Sequence, residues 1–260
     1  MYSLKEFFSV LDEYAPLKFS QAMIERGCHD NSGILINCND CVKNVTFSLD
    51  LSKYVVEQAI KNGSDTIVTH HPAIYQPIKD LSVDGATAPV LLSAMNGLNV
   101  ISMHLNLDVA KTGIDYCLAN AVGKNNVKIL ETIEDGIGYG REFVLDTTVS
   151  ELSKALSEKL KTDKIIYYGS GKVNKVATFC GGGSSSALEL VLTNKTNADT
   201  IVTSDVPHHV IKEMVERDKN IIIIPHYVAE EVGFNKFYCE IKNKLSEKIN
   251  AYYIDDKRFR

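Results

Sequence analysis

The string Asp-Thr-Ile-Val-Thr occurs twice in this chain, at 65–69 and again at 199–203. Within them Thr66–Thr69 and Thr200–Thr203 are short, β-branched and apolar at the centre, which is the composition of a buried strand. The first copy is followed by Leu98-Asn-Val-Ile-Ser-Met-His104 and then Asp108; the second by Asn220-Ile-Ile-Ile-Ile-Pro-His226 and then Glu230. Each half therefore offers a strand ending in polar residues, then a second strand ending in His-x-x-x-acid. A chain repeating that order is confined to the α/β class. We expect two similar α/β lobes with mixed or parallel sheets, facing each other across a shared cleft.

The surrounding pattern supports this order. Ser3-Leu-Lys-Glu6 and Thr148-Val-Ser-Glu151 are capping boxes, each followed by apolar residues at helical spacing. Val45, Phe47 and Leu49 alternate as a strand does, and Tyr54–Ile60 reads as a helix stopped by Gly63. Further strands are expected at Lys175–Phe179 and Ile221–Ile224, with a helix through Leu188–Leu192. Ile133–Gly140 holds three glycines and is the expected linker, giving a first lobe over 1–132 and a second over 141–260. The two lobes together would form one site.

With 260 residues, 45% apolar and 23% charged, the chain can bury a substantial core. A net charge of −5 argues against a non-specific nucleic-acid surface, which is strongly basic. Lys5, Glu6, Asp12 and Glu13 break up the start of the chain, so it does not read as a secretory signal. No window approaches the ~18 apolar residues of a membrane span. The expected location is the cytoplasm, where six cysteines are reduced thiols. Cys38-Asn-Asp-Cys41 has redox or zinc spacing but no companion pair, and reads as a loop.

Ligand sites in α/β sheets lie beyond the carboxyl ends of the strands, and three donor clusters fall there. His70 and His71 follow the first repeat copy. Adjacent strand residues point to opposite faces, so the two imidazoles converge only if the strand has ended; Pro72 favours that by holding His71 extended. His104/Asp108 and His226/Glu230 are spaced i, i+4, which places both partners on one face of a helix. A carboxylate can bridge two metals. Imidazole and carboxylate donors without thiolate suit Zn, Mn or Fe. Asp205, His208 and His209, after the second copy, are further candidates for catalysis, as is His104, alternatively a partner orienting a ligand. Cys180-Gly-Gly-Gly-Ser-Ser-Ser186 stands before a helix, where backbone amides cradle anions.

These segments resemble, in order, the dinuclear-metal-centre proteins of the NGG-interacting-factor-three-like family, many of them named GTP cyclohydrolase I type 2 homologue. The likeness runs through Asp30-Asn-Ser-Gly-Ile-Leu35, Thr69-His-His-Pro-Ala-Ile-Tyr-Gln-Pro-Ile-Lys-Asp-Leu81, Met103-His-Leu-Asn-Leu-Asp108, Gly181-Gly-Gly-Ser-Ser185, Thr203-Ser-Asp-Val-Pro-His-His209 and Pro225-His-Tyr-Val-Ala-Glu230. Leu105 stands where the family usually has threonine, and Ser204 where it often has glycine. Matched by position, the resemblance implies His70, His71, Asp108, His226 and Glu230 as ligands of two divalent metal ions, with Glu230 bridging. It also implies a homohexamer, a toroid built as a trimer of dimers, without the middle domain of longer relatives. The function to expect is metal-dependent hydrolysis of a nucleotide-like or other anionic small molecule. A non-enzymic metal-binding scaffold and the narrower GTP cyclohydrolase I type 2 activity are the alternatives.

Overall fold

The computed structural model describes residues 2–123, 127–245 and 249–260, packed as two compact units. The first holds α1 (Leu4–Tyr14), α2 (Leu17–Ile24), β1 (Gly33–Ile36), β2 (Asn44–Ser48), α3 (Lys53–Lys61), β3 (Thr66–Thr69), α4 (Ala88–Met95), β4 (Asn99–Ser102) and α5 (Leu105–Val109). The second holds α6 (Ile114–Val122), β5 (Lys128–Glu134), β6 (Ile137–Thr148), α7 (Val149–Leu160), β7 (Ile166–Tyr168), β8 (Lys172–Thr178), α8 (Ser184–Leu192), β9 (Thr200–Thr203), α9 (His208–Glu216) and β10 (Asn220–Ile223). The opening turns of α10 (His226–Lys244) also count with unit 2, whereas its remainder from Phe234 and β11 (Asn250–Tyr253) pack with unit 1. The expected α/β class and element order are present, including both capping boxes.

The lobe boundary differs from the expectation of 1–132 and 141–260. Residues 111–132 pack with unit 2, and 234–259 with unit 1, because β11 pairs in parallel with β2. The glycine-rich 133–140 segment is not a linker: it holds the turn of the antiparallel β5–β6 hairpin and the strand residues on either side of it. Its glycines answer to packing. Gly136 has φ +74° in the turn, and a Cβ on Gly140 would run into the Phe179 ring.

Each unit carries the same strand motif. In unit 1 the sheet order is β1-β4-β3-β2-β11, with β2, β3 and β4 parallel and β1 antiparallel. In unit 2 it is β5-β6-β8-β9-β10-β7, with β8, β9 and β10 parallel and β7 antiparallel. The repeated Asp-Thr explains the likeness. Asp65 Oδ2 accepts the Lys43 and Asn44 amides at 2.7 and 3.0 Å; Asp199 Oδ2 accepts those of Asn174 and Lys175 at 3.0 and 3.2 Å. The hydroxyls of Thr66 and Thr200 donate to the other oxygen of the same aspartates, both at 2.9 Å. Asn99 and Asn220, opening β4 and β10, donate their side-chain amides to those hydroxyls. Each aspartate thus ties its own strand to the preceding one near the start of their parallel pairing, and the asparagine links the next strand.

The centres of both repeats are core. Ile67 is fully buried with Val55, Val56, Ala59 and Val100, and Ile201 with Ala177, Phe179, Ala187 and Met214. No helix among the described residues is long and apolar enough to cross a membrane. The six cysteines are free thiols, and Cys38 lies in a loop whose backbone amide donates to Asn99 at 2.8 Å.

Removing either aspartate takes the acceptor from two backbone amides, one exposed and one part-buried, a loss of about 0.5–1.5 kcal/mol. Asp65→Ala and Asp199→Ala should each lower the denaturant midpoint by a corresponding amount. A midpoint within error of the wild type would show that the aspartates do not set the register.

Candidate metal centre

Unit 1 gathers four donors at the carboxyl ends of β3 and β4. β3 ends at Thr69, and the amides of His70 and His71 both donate to the carbonyl of Leu49, at 3.1 and 3.0 Å. The two histidines therefore leave one turn rather than opposite faces of a strand. His70 is fully buried, and its ring lies 4.9 Å from that of His71. His104 caps α5, and its ring centroid is 5.3 Å from His70 and 5.9 Å from His71. Asp108, buried on α5, brings Oδ1 to 3.4 Å from His70 Nε2.

Each imidazole in this group is held through Nδ1. His70 Nδ1 faces the Met103 carbonyl at 2.8 Å, His71 Nδ1 faces Asp50 Oδ1 at 2.7 Å, and His104 Nδ1 faces Asp30 Oδ1 at 2.6 Å. A carbonyl or ionised carboxylate only accepts, so each Nδ1 carries the hydrogen. That fixes the tautomer in which Nε2 bears the lone pair, the form that coordinates a metal. Burial alone would raise the pKa of Asp30; hydrogen bonds from His104, Ser20 and Ser32 outweigh it and hold the carboxyl at about 2.

Unit 2 repeats the device. Pro225 precedes α10, whose first turns carry His226 and Glu230 on one face, with Nε2 and Oε2 3.0 Å apart. His226 Nδ1 donates to the carboxylate of Asp205. Asp205 sits at φ +49°, a left-handed conformation that aspartate tolerates better than most residues. Gly181, at φ +58°, closes over the pair: a Cβ there would collide with Glu230 Oε1 and stand 3.3 Å from His226 Nε2. Its loop is clamped from behind. Asp115 Oδ1 accepts the Cys180 amide at 3.2 Å and pairs with the buried Arg141, and Tyr139 donates its hydroxyl to the Cys180 carbonyl.

The donor chemistry fits metal ions. In both units an imidazole whose tautomer points its Nε2 lone pair outward faces a carboxylate oxygen, His70 toward Asp108 and His226 toward Glu230. Two acceptors at such distances repel unless a proton or a metal cation lies between them. The remaining candidates behave differently. Asp205 is engaged with His226, while His208 and His209 are exposed on the first turn of α9, outside every metal-capable group among the described residues. Asp30 and Asp50 escaped the sequence argument. Asp50 lies just past the end of β2, where the strand-end rule applies equally. Asp30 comes from the distant segment before β1, which periodicity cannot bring near His104.

The chain and its fold have known counterparts. Residues 2–258 match the family model Duf34/NIF3 (NGG1p interacting factor 3). The chain is 25% identical over 256 residues to a GTP cyclohydrolase 1 type 2 homolog of Clostridium perfringens, covering 95% of this chain and 94% of the relative. It is 26% identical over 239 residues to one from Clostridium acetobutylicum, covering 87% and 85%. Among solved structures, a Bacillus cereus protein related to NIF3 superposes with a TM-score of 0.85 at 19% identity, over 98% of this chain and 96% of that one. Reduced HcgD from Methanocaldococcus jannaschii gives 0.79 at 27% identity, over 97% of both.

Gly181 and Gly182 separate conformation from composition. Gly181→Ala adds left-handed strain and a collision with Glu230, and should cost roughly 1–3 kcal/mol in thermal or denaturant unfolding. A Cβ on Gly182 meets nothing within 4 Å, so Gly182→Ala should stay within ~0.5 kcal/mol of the wild type. Equal effects would mean that Gly181 is not selected by its contact with Glu230.

Proposed function

The chain belongs to the Duf34/NIF3 family, and from that premise we propose that it binds two divalent metal ions through His70, His71, Asp108, His226 and Glu230 and hydrolyses a nucleotide-like or other anionic small molecule. The observation that carries this reading is the tautomer pattern: every one of these imidazoles gives its Nδ1 hydrogen to a fixed acceptor, and His70 and His226 turn Nε2 toward a carboxylate. Structural histidines have no need of so uniform an arrangement; metal-ligating ones depend on it. Zn, Fe and Mn suit the donor set, which holds no thiolate.

When bound, the ions would supply Lewis-acid chemistry, polarising a substrate oxygen and easing the loss of a proton from water. The protein's own part is to hold the donors. Met103, Asp50 and Asp205 fix the three rings, and the Gly181 loop keeps Glu230 against His226. Gly181–Gly183 lead into α8, whose first turn presents backbone amides to an anionic group. The relatives' name, GTP cyclohydrolase 1 type 2 homolog, supports a nucleotide as the substrate class. His104, Asp205, His208 and His209 remain the candidates for proton transfer. Homohexameric assembly belongs to the same proposal and rests on the family resemblance; light scattering at micromolar protein should show it, and a monomer would remove it.

Elemental analysis after gentle purification should find close to two ions per chain. Glu230→Ala should lose more metal than Asp108→Ala, since a bridging carboxylate serves both ions. Free imidazole titrates near ~6.5, so occupancy should fall steeply below about pH 6 as protons compete for Nε2, and His71→Ala should flatten that curve. Superimposable curves would exclude His71 as a ligand. A screen of nucleotides and phosphoesters should yield an activity that His70→Ala and Glu230→Ala abolish. Silence at full metal occupancy would favour the scaffold alternative over an enzyme.

A further inference from the structure

We propose that Cys38, Cys41 and Met95 form a binding site for copper(I), a thiophilic monovalent ion, held through two thiolates and a thioether. The site lies in unit 1, shares no residue with the imidazole and carboxylate donors described above, and does not depend on the reading of them. Cys38-Asn-Asp-Cys41 is a loop beyond β1 whose backbone is fixed by side chains. Asn99 Oδ1 accepts the amides of Cys38 and Asn39 at 2.8 and 3.1 Å. The Asn39 side chain then spans the turn: its Oδ1 accepts the Cys41 amide at 3.0 Å, while its Nδ2 donates to the Gly97 carbonyl at 2.8 Å. An asparagine used in this way folds the chain back as a backbone turn does. Asp40 accepts the Leu4 amide at 2.9 Å, where α1 begins. Val42, fully buried, exchanges both backbone hydrogen bonds with Tyr2 at 2.9 and 3.1 Å.

The backbone of both cysteines is thus held, yet their thiols serve no packing purpose. Cysteine is among the residue types most often fully buried, whereas Cys38 is exposed and Cys41 half-buried. The Cys38 thiol makes one long contact, donating to the Ala94 carbonyl at 3.9 Å. That carbonyl is followed directly by Met95, the last residue of α4, which keeps 68% of its surface exposed. A methionine side chain turns about three bonds, enough to bring its sulfur over the Cys38 thiol. Soft thiolate and thioether donors select copper(I). Zinc also binds thiolate, but a structural zinc site takes four ligands. Among the described residues, no cluster of three or more imidazole, thiol or carboxylate donors includes Cys38 or Cys41. Three sulfurs are too few for the zinc geometry and are the kind of donor copper(I) prefers. Binding replaces the two thiol protons by one ion, so both protons are released.

Copper(I) can be titrated anaerobically into the full chain, already saturated with zinc, against a chromophoric chelator of known affinity. Wild type should take one copper(I) per chain, with a thiolate-to-copper absorption band in the ultraviolet. Cys38→Ser and Cys41→Ser should each weaken binding by about 100-fold and remove the band, and Met95→Leu should weaken it by about tenfold. Asn39→Ala keeps all three sulfurs but releases the turn, and should weaken binding by about tenfold with the band retained. The Cys28→Ser/Cys239→Ser chain lacks the other exposed thiols and should match the wild type. Circular dichroism checks that each variant is folded. A measurement on the wild type needs no variant: one equivalent of copper(I) should protect Cys38 and Cys41 from alkylation, mapped by mass spectrometry, and leave Cys28 and Cys239 reactive. Wild-type affinity in Cys38→Ser or Cys41→Ser, or protection spread over all exposed thiols, would overturn the proposal. Zinc held at these cysteines against copper(I) would overturn the choice of ion, and unchanged binding by Met95→Leu the three-sulfur site.

Discussion

In each unit, parallel pairing held at one end determines what can assemble at the other. An aspartate just before the middle strand, Asp65 ahead of β3 or Asp199 ahead of β9, accepts two amides at or beside the preceding strand and a hydroxyl from the threonine that follows it. The asparagine of the following strand completes the clasp. With the parallel strands tied in register near the start of their pairing, the carboxyl ends finish nearly level. The loops that leave there emerge side by side. Donor residues far apart in the chain, such as His71 and His104, meet because of this constraint and not through any local preference of their own.

The loops then convert proximity into chemistry. An imidazole at a strand end is only a flexible base until its second nitrogen is committed. The chain commits it four times, to the Met103 carbonyl and to Asp50, Asp30 and Asp205. Three of the four acceptors are carboxylates, each drawn from a different segment. Asp205 accepts a left-handed backbone to reach His226, and Gly181 accepts another so that Glu230 has room. Local strain of this kind persists only where surrounding contacts enforce it, and the Asp115–Arg141 pair and Tyr139 do so for the Gly181 loop.

Most of the elements were legible in the sequence. β3 and β9 have the expected limits, and both capping boxes start their helices where Ser3 and Thr148 said they would. These features depend on a few neighbouring residues, which is the range over which sequence patterns act. The lobe boundary was not legible. Three glycines between 133 and 140 have the composition of a linker, yet they meet the steric demands of a hairpin turn and of the Phe179 ring. Composition shows that a Cβ is missing; only packing shows what occupies its place.

The sequence by itself determined the α/β class, the duplicated strand motif and the clusters of imidazole and carboxylate at strand ends, because each is written in residues close together in the chain. Tertiary structure alone decided which acceptor holds each ring. Asp30 and His104 are 74 positions apart, and Asp50 and His71 are 21 apart. No periodicity links such pairs. Their meeting is fixed by strand register and by where each loop leaves its sheet, and those are set by long-range hydrogen bonds and core packing that a local pattern does not encode.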